Sequence, residues 1–191
     1  EEMLASCSDP AHFTDSTFPP VPDSIGGAEE YPDLPSETEW RRMKGTVYLP
    51  QLHPVKIAKG QKSSSWFLGA LAAVACRQDL LLDLIVSDNL AEYGVYTFQF
   101  YKHGIWHQVP IDDTIPFQVN SNQPLYCSSA YDGELWPSLI EKAYAKIHGS
   151  YSALEHGSVE DALVDLTGGS AFVLELNQPH WQEEAANGEL W

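Results

Sequence analysis

The feature that most constrains the fold is a polar loop that leads directly into an almost wholly apolar segment. The loop covers residues 59–64 (KGQKSS), and the segment that begins at Ser65 stays apolar to about Gln78. In a chain of 191 residues with 43% hydrophobic side chains, this segment predicts a central buried helix of one folded domain. Ser63, Ser64 and Ser65 can each cap its N-terminus, so the helix is expected to point its first amide groups at a cleft.

The rest of the chain predicts further helices and a small antiparallel sheet. Alternating side chains over residues 93–102 and 105–113 predict a hairpin with a tight turn at His103-Gly104. Helical spacing predicts three further helices, over about residues 79–86, over 134–148 with Gly149 as its cap, and from Ser158 to about Leu166. These elements indicate an α+β fold that is mostly α.

Acidic side chains are concentrated at the two ends of the chain. Residues 1–40 hold ten Asp and Glu, residues 147–191 hold eight, neither stretch contains Lys or Arg, and the net charge is −17. This charge disfavours nucleic acid and anionic membranes as partners. No apolar run approaches the ~18 residues that a transmembrane helix needs. A solvated acidic surface, a docking surface for a basic partner and weak divalent-cation binding all remain open.

The cysteines and histidines give little sign of a metal site or a disulfide framework. Three cysteines cannot all pair, and Cys76, inside the apolar segment, is predicted to be a buried free thiol. Free thiols and the absence of an N-x-S/T sequon favour a reducing, cytoplasmic setting. His103 and His107 could touch a metal across the hairpin turn, but such residues are more often exposed turn and strand side chains.

Three motifs together resemble the protease core of the calpains, which are papain-like cysteine proteases. They are the loop and helix around Ser65, the stretch YGVYTFQF at 93–100 and the stretch ELWPSLIEKAYAK at 134–146. The resemblance covers about residues 13–176 and implies the helical lobe of a papain-like core. The implied organisation is an extended acidic, Pro-rich segment (1–36), the first core subdomain (37–176) and the start of the connection to a missing second subdomain (177–191).

The resemblance also places the catalytic positions of the family on this sequence. In calpains the loop reads Gln-Gly-x-x-Gly-Asp-Cys-Trp, and the Cys attacks the substrate. Gly60 and Trp66 are retained, Lys59 stands for the Gln that helps to bind the oxyanion, and Ser65 stands for the Cys. Ser63 and Ser64 replace the Gly and the Asp. The catalytic His and Asn of the family lie beyond residue 176.

These substitutions predict the loss of proteolysis. A helix N-terminus helps to ionise a thiol, but it cannot usefully ionise the far less acidic hydroxyl of Ser65. Lys59 carries a flexible ammonium, which is a poor substitute for a fixed oxyanion donor. Gln61 could take over that role only if the loop slipped by two residues.

The resemblance implies a calcium site in this half of the core, and the sequence predicts that this site is lost. Glu134 matches a Glu ligand of the family, but Lys56 stands where the family has an Asp ligand. An ammonium at that position cannot bind a hard cation. We therefore expect no calcium cofactor, and we hypothesise that Lys56 forms a salt bridge with Glu134 instead.

The sequence predicts a catalytically inactive calpain-like subdomain, a pseudoprotease that acts as a protein-binding or regulatory module for a protein or peptide partner. Ser65 and Lys59 are its degenerate catalytic positions, and Gly60, Ser64 and Trp66 line its cleft. One alternative is a calcium-dependent cysteine-type endopeptidase homologue with residual activity through Ser65 or a partner subunit. Another is a cytoskeleton-associated structural scaffold. The expected location is the cytoplasm, with association with the cytoskeleton as a further option.

Overall fold

A three-stranded antiparallel sheet and a buried helix pack together at the centre of this computed structural model, which describes residues 12–27, 37–47, 57–175 and 177–188. The helices are α1 (Pro22–Ile25), α2 (Ser65–Ala75), α3 (Gln78–Asp83), α4 (Trp136–His148), α5 (Val159–Thr167) and α6 (Pro179–Asn187). The strands are β1 (Thr38–Arg42), β2 (Ile57–Ala58), β3 (Ile85–Leu90), β4 (Val95–Lys102), β5 (Ile105–Asp112), β6 (Thr114–Gln118) and β7 (Ser128–Ser129). Strands β3, β4 and β5 pair in chain order, while β1 pairs with β6 and β2 with β7. The predicted α+β class with small antiparallel sheets is confirmed.

Helix α2 begins at Ser65, as predicted, but it ends earlier than predicted. The amide of Arg77 bonds the carbonyl of Val74, three residues back, and this tight turn closes the helix after Ala75. The predicted extension to Gln78 is wrong, because Gln78 already opens α3.

One face of α2 is exposed, although its composition predicted burial nearly all round. Phe67 and Leu71 are fully buried, whereas Gly69, Ala73 and Cys76 lie on the exposed face. Positions four or seven apart share one side of a helix, so these small residues form a common surface. The prediction that Cys76 is a buried thiol is wrong: the thiol is free but exposed.

The predicted helix over residues 79–86 is correct only in its first part. Helix α3 ends at Asp83, and Ile85 already belongs to β3, where it pairs with Phe98 of β4. The β-branched side chains of Ile85 and Val86 favour a strand, and pairing with β4 outweighs the helical spacing of the segment.

The predicted hairpin is confirmed with its turn in the predicted place. Strands β4 and β5 pair from Val95 opposite Asp112 to Lys102 opposite Ile105. The two turn residues, His103 and Gly104, have φ values of 52° and 85°. A two-residue turn with both φ values positive matches the twist of the strands that it joins.

Helix α4 is the most deeply buried element among the described residues. Every residue from Trp136 to Ala145 is buried, including the charged Glu141 and Lys142, and the helix closes at Gly149 with a φ of 100°. The prediction of a helix over 134–148 is confirmed from Trp136 onward.

The predicted cap of α5 is also confirmed, because Ser158 Oγ accepts from the amide of Asp161 at 3.1 Å.

Aromatic rings join α2, α4 and β4. The rings of Phe67 and Tyr144 stack with centroids 4.3 Å apart, and Phe100 meets Tyr144 edge-on at 5.3 Å. Phe13 and Phe18 of the N-terminal segment are buried as well.

The predicted division at residues 36 and 176 stays a prediction, because residues 28–36 and residue 176 lie outside the described ranges. The described part of the predicted connection forms α6. Among the described residues, no helix is both long enough and apolar enough to cross a membrane.

Candidate functional site: the loop before helix α2

The loop over residues 59–64 is fixed against the backbone of residues 125–126. Lys62 N bonds Leu125 O at 2.9 Å. A Cβ on Gly60 would lie 2.2 Å from Tyr126 O, a distance that no side chain tolerates. This close approach of two backbone segments therefore requires a glycine at position 60. The contact of Gly60 with Tyr126 holds the neighbouring Lys59 beside the start of α2.

The structure brings Lys59 and Ser65, the two predicted degenerate catalytic positions, into direct contact. Lys59 Nζ donates a hydrogen bond to Ser65 Oγ at 2.5 Å, and both side chains are exposed. The contact supports the gap-free alignment of the loop, because Lys59 reaches the nucleophile position. Gln61 lines the same cavity but makes no described contact with Ser65.

An open cavity of about 490 Å³ lies in front of Ser65. It is lined by Gln61, Lys62, Ser63, Ser64, Ser65, Trp66 and Glu155. No histidine of the described residues belongs to this lining. The described lining of this cavity therefore offers no imidazole to take a proton from Ser65.

Ser64 occupies the N-cap position of α2 but does not cap it with its side chain. Its hydroxyl donates to Leu154 O instead, and Trp66 Nε1 donates to the same carbonyl at 2.8 Å. The expectation of a serine side-chain cap is therefore wrong for Ser64. The shared carbonyl ties the start of α2 to the segment between α4 and α5.

Trp66 forms a half-buried wall beside the cavity. Its indole meets Phe67 and Tyr144 edge-on, with centroids 6.1 and 6.2 Å away. Gly157 lies directly against it, since a Cβ there would be 2.3 Å from Trp66 Cζ2. The side chain packs on the core and also faces the cleft.

Beneath the loop lies a buried carboxyl group that the sequence did not single out. Glu141 Oε2 accepts from Cys127 N at 2.6 Å, and the Ser63 side chain lies near this carboxylate. Ser63 Oγ in turn accepts from Gly60 N at 3.3 Å. Burial raises the pKa of Glu141 to about 7, although the hydrogen bonds from Cys127 and Ser63 oppose the shift. Its only sequence signal is an acidic residue inside the family-like helix, which helical spacing assigns to an exposed face.

The calcium position is described only in part. Glu134 is buried, and its Oε2 accepts from Ser129 Oγ at 2.8 Å. Lys56 lies outside the described residues, so its predicted salt bridge and the predicted loss of the site stay predictions. The described residues contain no group of three or more His, Cys, Asp or Glu side chains arranged to hold a metal ion. The described side chains around Glu134 do not form a calcium site by themselves. We therefore assign calcium no role in the chemistry of the cavity at Ser65.

His103 and His107 lie at the hairpin turn, as the sequence indicated. His107 Nε2 is 3.2 Å from Lys102 O, and His103 occupies the first position of the turn. His148 lies at the end of α4, where its Nδ1 is 2.8 Å from Tyr144 O. None of these three residues lines the cavity at Ser65.

A buried helix whose first residue opens into an exposed cavity, after a loop with a fixed glycine, is the arrangement of a papain-like nucleophile site. The family described as calpain family cysteine protease matches residues 13–191. The chain therefore belongs to the calpain family, and its calpain-like cysteine protease core is the class predicted from the motifs.

Individual calpains agree with this assignment. The chain is 36% identical over 204 residues to the calpain-type cysteine protease DEK1 of Arabidopsis thaliana, a match that covers 100% of this chain and 9% of the plant protein. It is 35% identical over 200 residues to human calpain-14, covering 100% of this chain and 28% of that protein. Against the rat calpain-2 catalytic subunit it is 34% identical over 181 residues, or 88% of this chain and 25% of the relative. The chain thus corresponds to part of a calpain core.

Proposed function

We propose that this calpain-family core does not cleave peptides and serves as a protein-binding or regulatory module. The observation that supports this proposal most strongly is the 2.5 Å contact between Lys59 Nζ and Ser65 Oγ. In the predicted alignment with the family motif, this pair is a hydroxyl where the family has a thiol and an ammonium where the family has an amide.

The chemistry of this pair is unfavourable for acyl transfer. A serine attacks only when a base removes its proton during the reaction, and no described residue in the cavity is an imidazole. The ammonium of Lys59 instead donates to Ser65 and holds the hydroxyl as an acceptor. Loss of one fixed oxyanion donor typically lowers a rate by about 10²–10³, and this loss adds to that of the thiolate.

The same site is suited to holding a peptide without cutting it. The cavity is open, and hydroxyl groups, Lys62 and the indole of Trp66 line it, with Lys59 beside Ser65. We propose a protein or peptide segment as its occupant. A second core subdomain is the expected neighbour of this cleft in the complete protein.

The test is peptidase turnover by the protein at its full natural length, with and without Ca²⁺. The variants are Ser65→Ala, Ser65→Cys and the double variant Ser65→Cys with Lys59→Gln. We expect no turnover from the wild type or from Ser65→Ala. Turnover that appears only in the double variant supports the proposal, because it shows that these two residues block an otherwise competent site.

The main alternative is residual activity through Ser65, with Lys59 as its base. The contact between them favours this alternative, since serine and lysine form the catalytic pair of some hydrolases. A lysine acts as a base near neutral pH when burial strips away its hydration, and Lys59 is exposed. Wild-type turnover that is lost in both Ser65→Ala and Lys59→Met would establish this alternative and overturn the proposal.

We also propose a cytoplasmic location, which the free thiols of Cys76 and Cys127 support. Association with the cytoskeleton is a narrower form of the same proposal. Fractionation of cells that express the protein tests both, with recovery in the soluble or the cytoskeletal fraction as the deciding result.

A further inference from the structure

Glu141 is a buried carboxyl group under the loop before α2, and no cation among the described residues acts on it. It is 1% exposed, and it lies on the face of α4 that packs against residues 125–127 and the loop. Its Oε2 accepts from Cys127 N, whereas its Oε1 has no hydrogen-bond partner among the described residues. A buried carboxylate with one unsatisfied oxygen is costly, and the neutral acid costs less because it buries no charge.

The groups that face Glu141 are all uncharged. Cys127 contributes its amide and thiol, the loop contributes the Ser63 hydroxyl, and the segment after α4 contributes Tyr151. Tyr151 Oη is itself buried without a partner. Asp112 also acts on Tyr151, and Lys142 Nζ pairs with this carboxylate at 2.6 Å. This surrounding favours the neutral form of Glu141.

Ser63 connects this carboxyl group to the loop. Its hydroxyl accepts from Gly60 N at 3.3 Å, and its side chain lies near Glu141. Gly60 follows Lys59, and Ser63 lies two residues before Ser65. A carboxylate formed at Glu141 can regain water only if the cover formed by the loop is displaced.

We propose that Glu141 is a proton-binding residue beneath the Lys59–Ser65 loop, and that loss of its proton opens this loop. Opening of the loop by deprotonation of Glu141 does not depend on whether Ser65 is catalytic. An experiment that overturns this proposal therefore leaves the proposed function untouched, and the reverse also holds.

The size of the effect follows from the two states of the carboxyl group. Burial raises its pKa from the ordinary 4.5 to about 7. If opening restores the ordinary pKa, the closed loop is favoured at low pH and is progressively lost as the pH rises towards 7. The opening equilibrium is then about tenfold more favourable at pH 8 than at pH 6.

The test is amide hydrogen exchange of the peptide that covers the loop, measured on the full-length protein at pH 6 and pH 8. After correction for the intrinsic pH dependence of exchange, we expect protection of the wild-type loop to fall about tenfold. Glu141→Gln mimics the neutral acid and is expected to keep the same protection at both pH values. Glu155→Gln removes one exposed charge from the same cavity and is expected to behave like the wild type.

The proposal is overturned if the wild-type loop shows no change between the two pH values. It is equally overturned if Glu141→Gln shows the full tenfold change, or if Glu155→Gln abolishes the change.

Discussion

Two neighbouring residues of α4, Glu141 and Lys142, lie in two differently built regions of the molecule. Both are fully buried. Lys142 belongs to an ion-pair region, where its Nζ lies 2.6 Å from Asp112 Oδ1 and 2.7 Å from Thr114 O. Glu141 belongs to the loop region defined by Ser63, Lys59 and Ser65, where the described part of the chain gives it no counter-charge.

The ion-pair region connects distant parts of the chain. Asp112 also accepts from Asp15 N at 2.7 Å, and Asp15 Oδ2 accepts from Lys146 Nζ at 2.6 Å. Burial alone would raise the pKa of Asp112, but Lys142 and the hydrogen bonds around it bring that pKa below its ordinary value. A buried charge that has a counter-charge and a full set of hydrogen bonds favours one packing arrangement. A buried charge without a counter-charge makes the stability of its region depend on pH.

Removing the cation of the ion-pair region is expected to give the largest effect. Lys142→Met leaves Asp112 buried without its partner and should lower the free energy of unfolding by about 3–5 kcal/mol, measured by urea denaturation at pH 7. Arg77→Met, which removes the exposed pair with Asp79, is the control and should cause no measurable change. A similar small effect for both variants would contradict the comparison.

Removing the charge of the loop region is expected to have a smaller effect that depends on pH. The folded-state pKa of Glu141 is raised to about 7, so its contribution to stability is complete below its ordinary pKa of 4.5 and is lost as the pH rises through 7. As the pH rises between those limits, the free energy of unfolding of the wild type should fall by about 3 kcal/mol relative to that of Glu141→Gln. Urea denaturation across this pH range measures the difference, with the exposed Glu92→Gln as control. Parallel curves for the wild type and Glu141→Gln would show that Glu141 does not titrate in this range.

Disrupting the tight contact between Gly157 and Trp66, at the edge of the loop region, should lower stability by an intermediate amount. Gly157→Ala places a methyl group 2.3 Å from Trp66 Cζ2 and should displace the indole from Leu154 O, with a loss of about 1–3 kcal/mol. Thermal unfolding and the indole N–H signal of Trp66 report the change. Gly69→Ala is the matched control, because its Cβ meets nothing within 4 Å and alanine favours a helix. Stabilisation by both variants would mean that Trp66 moves freely.

The exposed contact at the nucleophile position should contribute least to stability. Lys59→Gln removes the ammonium from Ser65 and should change the free energy of unfolding by less than about 1 kcal/mol, because water replaces an exposed hydrogen bond. Urea denaturation alongside Lys142→Met gives the comparison directly. A loss as large as that of Lys142→Met would place Lys59 in the scaffold rather than in the cleft.

Sequence patterns predicted the elements whose causes are local. The start of α2 at Ser65 follows from the boundary between polar and apolar residues, and the hairpin follows from alternation around His103-Gly104. The same patterns gave the wrong element for Ile85, whose spacing is helical but which joins a strand because β4 lies alongside it. The predicted burial of Cys76 was also wrong, because an apolar helix can still have one exposed face.

The sequence by itself determined the family, the α+β class and the identity of the groups at Lys59 and Ser65, because these depend on which residues are present and in what order. The tertiary structure alone decided that Lys59 contacts Ser65, that Lys142 meets Asp112 and that Glu141 meets no cation. Helical spacing assigns Glu141 and Lys142 to the outside of α4. Both are buried because strands and loops from distant parts of the chain cover every side of that helix, and only those neighbours determine whether a charge is matched.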